Sequence, residues 1–267
     1  MTGDRLSERG LRLLRMQLST RDLAIVGQVA EFRLMSTRQL EVLYFTDSEH
    51  DSALAAARAC RRVLERLVRE RLLVRLERRI GGVRAGSASF VYALGPVGQR
   101  VLELDGPRKR FKEPSAHFTD HTLAVSQMVV DLTVAGREGR LELLEAIPEP
   151  GCWRRYAGAE GHVVLRPDLV VALGAAAYEY RWFVEVDLGT EHVPTLLAKC
   201  RVYDDYYRTG TEQRSQGVFP RVCWIMPTPQ RVQELEHKLK ASGRFLPAMF
   251  AVTTTDAALT TLIGRAP

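Results

Sequence analysis

Three acids in the C-terminal half, Asp168, Glu185 and Asp187, have the types and spacing for metal chemistry. Asp168 follows Pro167 and precedes the apolar run Leu169-Val170-Val171, while Glu185 and Asp187 alternate along Trp182-Phe183-Val184-Glu185-Val186-Asp187. Alternate side chains of a strand share a face, so these two carboxylates stand side by side and Val184 and Val186 turn the other way. Two like charges at the end of an apolar strand repel each other. A hard dication such as Mg2+ or Mn2+ relieves that repulsion and prefers oxygen ligands, with Asp168 on a neighbouring strand as a third ligand.

A second set of residues is cationic. Arg58, Arg61, Arg62 and Arg69 lie on a helical stretch from Ala53 to Arg71, within about 100° of one another at 100° per residue, with Glu65 among them. Cys60, Val63, Leu64 and Leu67 recur at three- and four-residue spacing on the other side. One face packs and the other offers guanidinium groups to DNA phosphates. Tyr203, Tyr206 and Tyr207 invite comparison with nucleophilic tyrosines, but Tyr203 and Tyr207 are one helical turn apart and no His-hydrophobe-His motif accompanies them, so packing is expected. There is no P-loop, G-x-G-x-x-G or G-x-S-x-G. The four cysteines form no C-x-x-C pair and are expected to be small buried residues.

The elements that position these groups are legible. Ser19-Thr20 caps a helix to about Phe32, Ser36-Thr37 caps a shorter helix to Tyr44, and the arginine-bearing helix follows. Leu72 to Arg78 then alternates like a strand, Gly81-Gly82 and Gly86-Ser87 mark a turn, and Ser89 to Leu94 returns. Asp105 to Pro114 reads as a charged, exposed joint. Beyond it the pattern gives a helix over His117 to Val134, strands over Leu141 to Ile147, Val163 to Leu173 and Tyr178 to Asp187, a helix over Pro194 to Tyr207 and a strand over Val222 to Met226. The order is α-β-β-β-α-β.

Charge separates the two halves. Residues 1–114 carry 22 Lys and Arg against 14 Asp and Glu, the remainder 16 against 18, within a chain of 267 residues and net charge +6. A basic half joined to a mildly acidic one suggests a polyanion-binding module attached to a carboxylate-bearing one. With 46% hydrophobic and 26% charged residues the chain can bury a core, which excludes disorder throughout. Its longest uncharged stretches, such as Phe245 to Thr255, are too short to span a membrane, and MTGDRLSERG lacks the apolar core of a signal peptide, so a cytoplasmic protein with no membrane partner is expected.

Two resemblances follow. Three helices and a hairpin, with LERLVRERLLVRL leading in and FVYALGPVGQRVL closing, resemble bacterial winged helix-turn-helix domains over residues 19–105. That likeness implies duplex DNA as partner, the long helix in the major groove, and Arg78, Arg79 and Arg84 on the backbone. After a 106–114 linker, Arg166-Pro167-Asp168 and Glu185-Val186-Asp187 on the α-β-β-β-α-β core resemble the PD-(D/E)xK nuclease fold over 115–267. RPDLVVAL, FVEVDLGTEHVPTLLAKCRVYDDYY and the preceding domain together resemble the actinobacterial replication-relaxation family, associated with plasmid replication and DNA relaxation. An α+β protein of a plasmid or other mobile element is implied, with other replication or transfer proteins as partners and a homodimer as one arrangement.

The nuclease likeness implies Mg2+- or Mn2+-dependent DNA nicking or cleavage, with Asp168, Glu185 and Asp187 holding metal. The pattern's lysine is replaced by Asp187; Lys199 on the following helix would compensate, stabilising charge on the phosphate. Glu191 would add an outer-shell ligand or cap a helix, and His121 would act as a base or second partner. The alternative reading, which the missing lysine also fits, is a degenerate nuclease domain in a non-catalytic DNA-binding regulator or replication accessory factor.

Overall fold

Ser7, Ser19, Ser36 and Ser52 each place a side-chain oxygen on a backbone N–H of the helix that follows, satisfying donors that a first turn leaves open. In this computed structural model, which describes residues 6–46, 52–76, 89–103, 113–158 and 161–264, those helices belong to the first of two compact units, Met1–Val130 and Asp131–Pro267. The first unit runs α1 (Glu8–Gln17), α2 (Thr20–Phe32), β1 (Leu34–Ser36), α3 (Thr37–Tyr44), α4 (Ala53–Arg69), β2 (Leu73–Arg75), β3 (Val91–Leu94), α5 (Pro96–Val101) and most of α6 (Ala116–Arg137). Its sheet is antiparallel in the order β1-β3-β2.

α4 buries Ala56, Cys60, Leu64 and Leu67 and exposes Arg58, Arg61, Arg62, Glu65 and Arg69, as its apolar period requires. Arg71 has φ of 61°, which ends the helical path two residues before the expected stop. The chain then needs glycine twice: a Cβ at Gly95 would lie 2.3 Å from the Arg71 carbonyl oxygen, and one at Gly98 2.3 Å from that of Leu72. The expected turn at 81–88, with Arg78, Arg79 and Arg84, lies outside the described residues, as do residues 105–112 of the expected joint.

α6, expected to open the second half, begins in the first unit. Leu123 gives its carbonyl to Gln39 Nε2 at 2.8 Å, Ser126 Oγ donates to the Leu34 carbonyl at 3.1 Å, and Phe118 and Leu123 pack on Leu34, Leu76 and Ala93. Burial of that apolar side moves the division between units to Val130/Asp131.

The second unit contains β4 (Glu142–Pro148), β5 (Arg154–Gly158), β6 (Gly161–Leu165), β7 (Leu169–Ala175), β8 (Tyr178–Val186), α7 (Val193–Thr209), α8 (Thr211–Gln216), β9 (Arg221–Met226), α9 (Pro229–Ala241), β10 (Phe250–Thr254) and α10 (Ala258–Ile263). A mixed five-stranded sheet has the order β10-β9-β8-β7-β4, antiparallel across β4-β7-β8 and parallel across β8-β9-β10. Phe183, Val222, Trp224 and Met226 share one core with Leu196, Cys200 and Tyr203 of α7 and Leu235 of α9. Trp182, on the opposite face of β8, donates its indole N–H to the Leu262 carbonyl of α10 at 2.9 Å.

One expected strand is two. The stretch 163–173 breaks at Pro167-Asp168: β6 pairs with β5 in a separate two-stranded sheet, while β7 joins the main one. Proline has no N–H to offer a ladder, and the chain changes sheets there.

Candidate functional site

The break at Pro167 is what sets Asp168 in place. Its Oδ2 accepts the Val186 N–H at 2.8 Å and its carbonyl accepts the Glu149 N–H at 3.0 Å, so the acid is tied to both neighbouring strands and is 8% exposed. Alternation along β8 turns Phe183, Glu185 and Asp187 toward α7 and α9. Glu185 is 1% exposed: Lys199 Nζ donates to its Oε2 and the Tyr203 hydroxyl donates to its Oε1. Lys199 and Tyr203 are four residues apart on α7 and therefore meet the same carboxylate. Lys199 Nζ also lies 4.0 Å from Asp168 Oδ1.

Burial lifts the Glu185 carboxyl to about 8, with the Asp168 charge adding to the rise and the Lys199 ammonium and Tyr203 hydroxyl opposing it. For Lys199 burial pulls the pKa down, but Glu185 and Asp168 more than offset it and the net direction is upward. Burial, then the Glu185 charge, drive the Tyr203 hydroxyl well above its ordinary value, in keeping with its donation of the proton to Glu185 Oε1.

Asp187 is drawn elsewhere. Arg231 of α9 grips it through Nε to Oδ2 and through its second nitrogen to Oδ1 at 3.1 Å, and the same guanidinium reaches the Glu191 carbonyl. The structure thus gathers Asp168, Glu185 and Lys199 and does not assemble the expected Asp168, Glu185 and Asp187 set around a shared vacancy. Among the described residues no group of three or more His, Cys, Asp and Glu is disposed to hold a metal ion. A dication shared by three carboxylates does not fit this arrangement, because Lys199 and Tyr203 hold the Glu185 oxygens, Arg231 holds those of Asp187, and Asp168 gives Oδ2 to the Val186 N–H. Glu191 is exposed and contributes its backbone carbonyl instead of an acid ligand. His121 stands on the part of α6 that belongs to the first unit, its ring centroid 6.5 Å from that of His117.

Sequence reasoning missed Arg231 and the part played by Tyr203. The i, i+4 spacing of Lys199 and Tyr203 was a usable signal; α9 lay beyond the elements assigned, so nothing pointed to Arg231. Also missed was Arg154, whose Nε and second nitrogen bind Glu212 at 2.9 and 3.2 Å while the Tyr206 hydroxyl donates to Glu212 at 2.6 Å. All four cysteines are buried free thiols, as their spacing implied.

In the first unit Arg58, Arg61, Arg62 and Arg69 are all exposed along α4. Between them and the core Arg66 donates to Asp22 at 2.6 Å, and Asp22 also accepts the Ser19 N–H at 2.9 Å. One buried carboxylate, 2% exposed, therefore caps α2 and anchors α4.

The fold and site define a two-unit α+β protein with an exposed arginine face on one unit and a buried acid–lysine–tyrosine cluster on the other. The sequence profile described as replication-relaxation matches residues 27–222, about three quarters of the chain, and the protein belongs to that family. Membership suggests a part in replication or relaxation of plasmids or other mobile elements. Neither the curated proteins nor the solved structures yield a match. No helix among the described residues is long and apolar enough to cross a membrane.

Proposed function

We propose that the protein is a DNA-binding accessory factor of mobile-element replication or relaxation, whose first unit is a winged helix that docks on duplex DNA through α4 and whose second is a PD-(D/E)xK-like domain with an internally satisfied acid cluster. The observation that carries the reading is the arginine face itself: Arg58, Arg61, Arg62 and Arg69 are exposed on a helix whose other side buries Ala56, Cys60, Leu64 and Leu67. Guanidinium groups in such a row release counterions when they meet phosphates, so affinity falls steeply with salt. The order β4, β7, β8, α7 and β9 supports the nuclease-like description of the second unit, although the helix expected to open it begins in the first unit. Compensation of Glu185 by Lys199 and Tyr203, and of Asp187 by Arg231, supports a non-cleaving role. Fluorescence anisotropy with a labelled duplex tests the proposal. Wild type should bind at low salt, and Arg58→Ala/Arg61→Ala/Arg62→Ala should lose about 10-fold or more in affinity and about 2 to 3 from the slope of log K against log salt. Equal slopes for the two proteins would remove α4 as the docking element.

A second reading, Mg2+- or Mn2+-dependent nicking, is favoured by one observation: Asp168, Glu185 and Lys199 meet at one point, the acid–acid–lysine set of a nuclease with its lysine on the helix. Strand scission in either metal that Asp168→Ala abolishes would establish it.

A further inference from the structure

The second unit carries a basic surface apart from its acid–lysine cluster. β5 and β6 form an antiparallel ribbon in which Arg154 faces Leu165, Arg155 faces Val164, Tyr156 faces Val163 and Ala157 faces His162. Alternation puts Arg154, Tyr156, Val163 and Leu165 on one side. That side is the packed one: Tyr156 and Leu165 are buried, the Tyr156 hydroxyl donates to the Val202 carbonyl at 3.3 Å, and Arg154 is held by Glu212. The other side looks outward, with Arg155, Ala157 and His162 exposed and Val164 half-buried.

At the base of the ribbon Arg166 is exposed, its guanidinium carbon 5.0 Å from the centroid of the Trp153 ring. Among the described residues neither Arg155 nor Arg166 has a hydrogen bond or ion pair, in contrast to Arg154, Arg181, Arg231 and Arg244 of the same unit. None of the outward positions of the two strands, Arg155, Ala157, His162 and Val164, is acidic. A guanidinium laid on an indole loses little further freedom when it engages a phosphate. A two-stranded ribbon is also one of the two elements whose width suits a DNA groove.

We propose that the outward face of the β5–β6 ribbon is a second DNA-binding surface, on which Arg155 and Arg166 take backbone phosphates. It extends the DNA-binding reading to the second unit. Arg166-Pro167-Asp168 links this face by a single residue to the acid–lysine cluster, so DNA held there lies next along the chain to Asp168.

The test uses the full chain and a labelled duplex of about 30 base pairs titrated across salt. Arg155→Ala/Arg166→Ala should bind about 10-fold more weakly and lose about 2 from the salt slope, roughly 0.9 for each phosphate contact. Its melting temperature should match wild type, because both side chains are exposed, and Arg155→Lys/Arg166→Lys should recover most of the slope. An unchanged slope in the alanine double variant overturns the ribbon surface while leaving the α4 reading intact. Loss of slope in that variant, with none on removal of Arg58, Arg61 and Arg62, upholds the ribbon and overturns the α4 reading. Failure of wild type to bind the duplex at low salt overturns both.

Discussion

Glu185 is the residue on which most of the site's physics converges. Its folded pKa, about 8, exceeds the ordinary 4.5, so the folded chain holds the proton more tightly than the unfolded one. That contribution to stability is complete below about 4.5 and is lost as pH rises toward 8. Melting of wild type against Glu185→Gln across this range should show wild type losing ground as pH rises, by about 2–4 °C for each kcal/mol. A difference that stays constant, or moves the other way, contradicts the assignment. Tyr203→Phe removes a hydroxyl donor from the same carboxylate and should cost about 1.5–3 kcal/mol in urea unfolding; a change under about 0.5 kcal/mol would mean the contact carries no weight. At this scale the sequence was informative about Asp168, Glu185 and Lys199. It was silent on how the oxygens are shared out, since that depends on which helix side chains reach the sheet.

Among elements, α9 and α4 are held by ion pairs that local patterns do not reveal. Asp187 and Arg231 are 44 residues apart, and no period connects them. Arg231→Met leaves a buried carboxylate without its cation and should cost about 3 kcal/mol, whereas Asp187→Asn with Arg231→Met should cost less than the two single changes added together. Additivity in that cycle would show the pair to be uncoupled. Asp22→Ala removes both the α2 cap partner and the anchor of Arg66, with an expected loss of about 2 kcal/mol and weaker DNA binding through a less firmly seated α4. Elements with a clear period, such as α2, α3 and α4, were readable to within a residue or two. The 163–173 stretch was not, because an apolar run on either side of Pro167 looks like one strand until the partner strand β5 is known.

For the molecule as a whole, the uneven distribution of charge is the feature that the sequence made plainest, with its cationic excess before Pro114 and an acidic remainder. Where the units divide was less visible, because α6 is apolar over much of its length and contacts such as those with Gln39, Leu34, Leu76 and Ala93 assign its beginning to the first unit. The proposed role, gripping DNA without cutting it, is tested most directly by a single agarose gel of supercoiled plasmid incubated with the full chain in Mg2+ and in Mn2+. The expected result is retarded plasmid at low salt that returns to the supercoiled position once the protein is stripped away. Nicked or linear plasmid after stripping, produced by wild type and absent with Asp168→Ala, would contradict it.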